Sequence, residues 1–435
     1  MRAALFAALS CATVISGQMV MDPERIGQAA TQMDAGKDEK SLRCEVRPIR
    51  PALNFTFRFQ AGYVVTVPMK QYIGTGNVWA ILTRITPQNG SQGDAPKPVY
   101  LIDVIRLPPI TEATKAEAES GGSYLLGEGR YNVSWMLMDS AGRTCRKSWQ
   151  VEVALGRGDK GVKLGMPPGT VAGLSERGLP MRGSPVVDRD TGAGPPLRLT
   201  VLVDSAPFTF RRTSRVGLSG YDRNLLMGML AALLERLPNA SVKLILFNLE
   251  QQRELLRHDG FQLRDLRRVS EALNRLNLGT IDASKLGNPG GHLGLLAGFI
   301  NEELRAEHPA DAVVFLGPRE RYDEKMPPEM LDKPGEGAPR FFYLQHRPRP
   351  RPIMQETGGG GGGGGRRGGE IAPGVSVVPF GVGDYPDSIS RAVDRMRGDT
   401  IRVHTPGEFA KAIERLEKRT VKGRDSPADA ARKAN

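Results

Sequence analysis

The stretch VSVVPFGVGDYPDSISRAVDRMRGDTIRVHTPGEFAKAIERL, residues 375–416, decides how the second half of the chain reads. VSVVPFGV is a short apolar run of strand length. Asp387 to Gly398 follows with helical spacing, TIRVHT returns to a strand pattern, and Gly407 to Thr420 is helical again. Strand, helix, strand, helix, without tight-turn signals between strands, predicts a parallel sheet with crossover helices.

The same alternation extends back to about residue 198. LRLTVLVD ends in Asp204, and NLLMGMLAALLERLP is a helix apolar nearly all round, capped by Asp222 or Asn224 and stopped at Pro238. SVKLILFNLE, a charged amphipathic stretch from Leu255 to Leu276, a helix around His292–Glu307, ADAVVFLG and RFFYLQ complete the series. Residues 346–370 interrupt it with eight glycines from Gly358 to Gly365, and composition predicts no packed structure there. Residues 421–435 are expected to be a loose tail.

Residues 43–155 read differently. NFTFRFQAGYVVTVPM, NVWAILTRIT, PVYLIDVIRL and GRYNVSWMLMDSAGRTCRKSWQVEVAL are strand signals. Phe55, Phe57 and Phe59 alternate with polar residues, and Val133, Trp135 and Leu137 share one strand face. Asp139-Ser140-Ala141-Gly142 closes a hairpin. These features predict an immunoglobulin-like β-sandwich. Residues 18–42 read as a leader, and Gly/Pro-rich residues 156–197 as a linker. That linker holds a G-x-G-x-x-G at Gly156, Gly158 and Gly161, but Pro167 and Pro168 stand where a dinucleotide-binding helix would have to run.

Arg2 followed by the apolar run Ala3–Ile15 and by Ser16-Gly17 predicts a cleaved secretory signal over residues 1–17. No later run is long and apolar enough to cross a bilayer, which takes about 20 residues, so a secreted or periplasmic chain without a transmembrane helix is expected. Outside the signal the cysteines are Cys44 and Cys145, a pair suited to a disulfide in an oxidising compartment.

The order of elements from about 198 to 420 resembles a von Willebrand factor type A domain of secreted bacterial proteins. LTVLVD, LNRLNLGT ending at Gly279-Thr280, ADAVVFLGPRE and the 375–416 stretch carry the resemblance. It implies an α/β, Rossmann-like fold, mainly parallel with helices on both faces, after the β-sandwich. It also implies a metal-ion-dependent adhesion site built from an Asp, two Ser hydroxyls, a Thr and a second Asp. Here the first three positions read Asp204, Ala206 and Phe208, and the second Asp falls on Gly317 or Pro318. A methyl and a phenyl group offer no lone pairs to a hard cation, so no metal and no cofactor are expected, although Asp282 and Glu320 lie near enough in sequence to substitute. What remains is a partner-binding rim at the strand ends: Asp204, Ser205, Pro207, Phe208, Phe210 and Thr280, with Phe208 and Phe210 as candidate exposed anchors. Packing of those two rings against the sheet is the plainer alternative.

The five histidines, His258, His292, His308, His346 and His404, match no H-E-x-x-H pair, and no G-x-S-x-G elbow is present. The expected function is therefore non-enzymatic: an exported binding or adhesion-type protein with an unknown protein partner. Two alternatives stay open, an envelope enzyme or assembly factor with an unread active site, and a polyanion binder. The formal charge of +12 bears on the second. Residues 347–367 and 411–435 each contribute +4 of it. Arg347, Arg349, Arg351, Arg366 and Arg367 form a basic loop suited to an anionic envelope surface rather than to a nucleic-acid groove.

Overall fold

The computed structural model describes residues 19–21, 27–34, 41–72, 77–88, 97–109, 115–175, 179–181, 183–185, 196–208, 217–278, 287–288, 290–335, 337–347 and 385–424. The first half contains β1 (Met19–Met21), α1 (Gly27–Asp34), β2 (Glu45–Leu53), β3 (Phe59–Pro68), β4 (Asn77–Pro87), β5 (Val99–Leu107), β6 (Glu117–Leu126), β7 (Gly129–Asp139), β8 (Thr144–Val153) and β9 (Val171–Gly173). These strands form two antiparallel sheets, β1-β5-β4-β7-β8 and β2-β3-β6-β9.

The two sheets face each other because their inward positions are apolar at every second residue. Tyr63, Val65 and Val67 of β3 meet Trp79 and Ile81 of β4 and Trp135 and Leu137 of β7. Phe59, Ala61 and Tyr124 meet Ile85, Tyr131 and Val133 in a second cluster. Cys44, just before β2, is bonded to Cys145 on β8 with Cα atoms 6.3 Å apart, so the bridge ties one sheet to the other across 101 residues. A loop of that length is worth about 4–5 kcal/mol in the chain-entropy description. The Tyr131 hydroxyl donates to the Gly127 carbonyl at 2.8 Å and pins the β6–β7 corner.

Four strands of the first half had no sequence signal: β1, β2, β6 and β9, the last within the residues read as a linker. β2 contains Pro48 and Pro51, which lack the N–H of an interior ladder, and it lies at the sheet edge where that is tolerated. β6 contains Gly121 and Gly122; a Cβ at Gly62 on β3 would stand 2.2 Å from the Gly122 carbonyl oxygen, so the close approach of the two strands requires glycine. The residues read as a leader also take part, since β1 pairs with β5.

The second half contains β10 (Arg198–Asp204), α2 (Gly220–Arg236), β11 (Ser241–Asn248), β12 (Arg253–His258), α3 (Leu266–Arg275), α4 (Gly291–Arg305), β13 (Ala312–Pro318), β14 (Arg340–His346), α5 (Ser388–Arg395), β15 (Asp399–Val403) and α6 (Pro406–Arg424). Its six strands run in the order β12-β11-β10-β13-β14-β15. α2 is buried along most of its length, and Ser219 rather than Asp222 or Asn224 caps it, accepting from the Asp222 N–H at 3.0 Å. α6 runs over Pro406–Arg424, so the helix expected to Thr420 extends four residues into the expected tail.

The expectation of an α/β von Willebrand A-like, Rossmann-like fold is corrected by this architecture. Of the fifteen strands among the described residues, nine belong to the two antiparallel sheets, and the third sheet is mixed. β12 returns antiparallel to β11 because residues 249–252 are too few for a crossover, and the pairing shifts register at Leu246/Phe247. The segment VSVVPFGV, on which the resemblance leaned most, lies outside the described residues. The molecule is β-rich, with two antiparallel sheets and one mixed sheet.

A five-residue turn joins the halves. The alternation Phe55, Phe57, Phe59 reads as one strand, but the chain reverses between β2 and β3 over Asn54–Arg58. The Asn54 side-chain oxygen accepts from the Thr56 N–H, the Thr56 hydroxyl and the Arg58 N–H at 3.0, 2.7 and 3.2 Å. Phe57 adopts φ 56°, an uncommon left-handed conformation for a bulky residue. Its ring is fully buried among residues of the mixed-sheet core, stacked on Phe409 with centroids 6.0 Å apart and covered by the Arg236 guanidinium. Arg58, 1% exposed, forks onto Glu235 of α2 with nitrogen–oxygen distances of 3.1 and 3.2 Å.

Removing one member of a buried pair strands the other, at a cost of about 3–5 kcal/mol. Glu235→Ala should therefore lower stability by about 3 kcal/mol, whereas Glu152→Ala, which breaks the exposed Arg130–Glu152 pair, should cost under about 1 kcal/mol. Urea denaturation of both variants checks the contrast.

Candidate functional site

Five of the six strands in the mixed sheet, β11, β10, β13, β14 and β15, run parallel in adjacent places, so their carboxyl ends share one edge. Asp204 ends β10, Glu320 lies two residues past β13, and Tyr343, Gln345 and His346 end β14. Side chains alternate across a strand. Asp204, Tyr343 and Gln345 accordingly point to the face covered by α4 and α5, while His346 points to the opposite face, toward Phe55 and Phe208.

Asp387, the N-cap of α5, is fully buried and well supplied with donors. One oxygen accepts from the Ser390 N–H at 2.8 Å. The other accepts from the Glu320 N–H at 2.8 Å, the Gln345 amide at 2.9 Å and the Tyr343 hydroxyl at 3.3 Å. The Tyr343 hydroxyl also reaches the Pro318 carbonyl.

Asp204 has the opposite surroundings. It is 1% exposed and neither carboxyl oxygen meets a hydrogen bond of full geometry; Glu320 Oε1 is equally unsupplied. Gly317 lets β13 approach: a Cβ there would stand 2.9 Å from the Asp204 Cβ. Burial, then Glu320 and Asp387, push the Asp204 carboxyl well above its ordinary value, against a weaker pull from the Ala206 N–H. Burial also raises Glu320. Two carboxyls facing each other in a dry site cannot both ionise, so the pair holds one proton between them. Tyr343 is raised well above its ordinary value by burial and the three nearby carboxylates. His346 is pushed down to about 4 by burial and by His404, and stays neutral.

The rim read from sequence needs correction. Ser205 is fully buried, its hydroxyl and its N–H both donating to the Phe247 carbonyl at 2.8 and 2.9 Å. Phe208 is buried, edge-on to His346 at 4.9 Å, with its N–H held 3.3 Å from an Asp222 oxygen, so it is no exposed anchor. Asp204 is beneath the surface and Pro207 is half-buried. Phe210 and Thr280, together with Arg349, Arg351, Arg366 and Arg367, lie outside the described residues; Arg347 is half-buried and donates to Gln345 at 2.7 Å. The adhesion-type metal set does not fit: Ala206 and Phe208 have no lone pairs, Ser205 is committed to Phe247, and Gly317 provides no side chain. Of the two candidate substitutes, Glu320 is brought to Asp204, and Asp282 lies outside the described residues.

Above the buried acids the edge is cationic and aromatic. Tyr385 is 69% exposed and its carbonyl accepts from Arg319 at 2.9 Å; Arg321 lies over Tyr322 and pairs with Glu250 at 2.7 Å. Tyr221, 60% exposed, opens α2 at the same edge. Sequence reading missed Asp387, Tyr343, Gln345 and Tyr385. The helix-start pattern at Asp387 was the available signal.

No protein-family model matches the chain, and no curated protein matches it. Among solved structures, the chain has 16% identity with structural-genomics target SoR45 (TM-score 0.16; 28% of this chain, 96% of that one). It has 14% with a β-glucosidase from Listeria innocua (0.17; 26% and 16%) and 9% with a lipoprotein from Bacteroides thetaiotaomicron (0.14; 29% and 92%). Likenesses this slight carry no argument.

A carboxyl held neutral by the fold stabilises at low pH and loses that contribution as pH rises through its raised folded value. Melting temperature should thus fall as pH increases above the ordinary carboxylate range near 3.8, and Asp204→Asn should flatten the fall. Thermal melts from acid to mildly alkaline pH give the comparison; parallel curves would contradict a shared proton.

Proposed function

We propose that the chain is an exported, non-enzymatic binding protein that presents the carboxyl edge of its mixed sheet to a protein partner. Tyr385 carries the reading: a large aromatic residue, 69% exposed, is fixed through its backbone by Arg319 at an edge shared with Arg321 and Tyr221. Tyrosine and arginine are the residues enriched at the energetic centres of interfaces. The acids below are too deeply buried to meet a substrate, and they act instead as a polar support that sets Arg319 and α5 in place. The Cys44–Cys145 bond supports an oxidising compartment outside the cytoplasm, and no helix among the described residues is long and apolar enough to cross a membrane.

A photo-crosslinking residue at position 385, expressed in the native host, should trap one discrete partner, while the same residue at the exposed position 263 should not. Arg319→Ala should reduce the trapped product about tenfold, the loss expected for one hot-spot contact of roughly 1.4 kcal/mol. Asp204→Asn should leave it in place. Trapping indifferent to Arg319, or abolished by Asp204→Asn in a folded protein, would overturn the reading.

A further inference from the structure

We propose that the outer edge of β12, with the cationic side of α3 beside it, docks an extended acidic segment of a partner protein, which adds to the mixed sheet as a further strand. This surface is separate from the edge bearing Tyr385. β12 is the outermost strand of its sheet and pairs only with β11 among the described residues, so its outer backbone groups have no strand partner there. An unpaired edge is a template for another chain.

A groove of about 380 Å³ runs along this edge. Leu255 and Leu256 of β12 and Ala272 of α3 form its apolar floor, all half-buried. Arg268 and Arg275, seven residues apart and so on one side of the helix, stand exposed along it with no carboxylate partner among the described residues, and Arg253 closes one end. The acids of the groove are already engaged: Glu254 with Arg257 and Glu271 with Arg267, both at 2.8 Å. The surface therefore has an apolar floor, a free backbone edge and uncompensated positive charge. A strand alternating apolar and acidic residues matches all three, because one of its faces meets the leucines and its carboxylates reach the arginines. The six residues of β12 would pair with a segment of about the same length.

The test uses the full chain and fluorescence anisotropy with a labelled peptide of about eight residues alternating valine and glutamate. Binding is expected, weakening about tenfold or more in the Arg268→Glu/Arg275→Glu variant. A lysine-for-glutamate peptide should not bind, and N-methylation of alternate peptide nitrogens should cost a similar factor because it removes the ladder donors. Both arginines are exposed, so the variant should keep the parent melting temperature; if it does not, Arg275→Gln with the same peptides replaces it. Failure of the glutamate peptide to bind, or equal affinity in the variant, overturns the proposal. So does undiminished binding of the N-methylated peptide, which would mean charge attraction without strand addition. Self-association of the parent in sedimentation, lost in the variant, would assign the edge to a second copy instead and overturn it as well.

Discussion

The insertion of the Asn54–Arg58 turn into the mixed-sheet core is the constraint on which the rest depends. Leu53 and Leu155, each packed against both a sandwich core and the mixed-sheet core, flank it. Burying the Phe57 ring contributes roughly 1.5–3 kcal/mol, offset by its left-handed backbone. The Arg58–Glu235 fork contributes direction more than net energy: a bidentate pair has one good geometry, so it sets how β3 sits on α2. Phe55 extends the joint to His346 and Phe409, which links it to the end of β14 and so to the acid-bearing edge.

That edge is layered by electrostatics. Asp387, with four donors, organises Glu320, Gln345, Tyr343 and the first turn of α5. Asp204 and Glu320, with almost none, share a proton and so avoid placing a further charge in a dry site. Burial also draws the Arg319 guanidinium below its ordinary value, with Arg347 acting in the same sense and Asp387 against it. The arginine is left anchored by backbone geometry at Tyr385. Tyr385 and Arg319 thus rest on a layer of buried polar side chains.

Much of this was legible in the sequence where one-dimensional pattern and three-dimensional role coincide. Cys44 and Cys145, near the first and late strands of one β unit, pair as expected, and Val133, Trp135 and Leu137 line a core because strand pleat has period two. LTVLVD forms a strand that ends at Asp204, as its apolar run suggested. Two of the failures share a cause, a side chain holding backbone N–H groups against the pattern. Asn54, satisfying three donors, turned an apparent strand into the joint. Phe208 was drawn inward by the Asp222 hold on its N–H. β12 turned antiparallel because its connection is short, a property of spacing that hydrophobic periodicity does not register. Of the buried acids, Asp204 and Glu320 were named for one site through the resemblance, while Asp387, 67 residues past Glu320, was missed because it joins them only through strand order.

The central claim, that the Asn54–Arg58 turn holds the two units in one arrangement, is tested most directly by a distance between them. Spin labels at the exposed positions 130 on β7 and 267 on α3, read by pulsed electron resonance, should give a single narrow distribution in the parent protein. A broad or multimodal distribution in the parent would contradict the account.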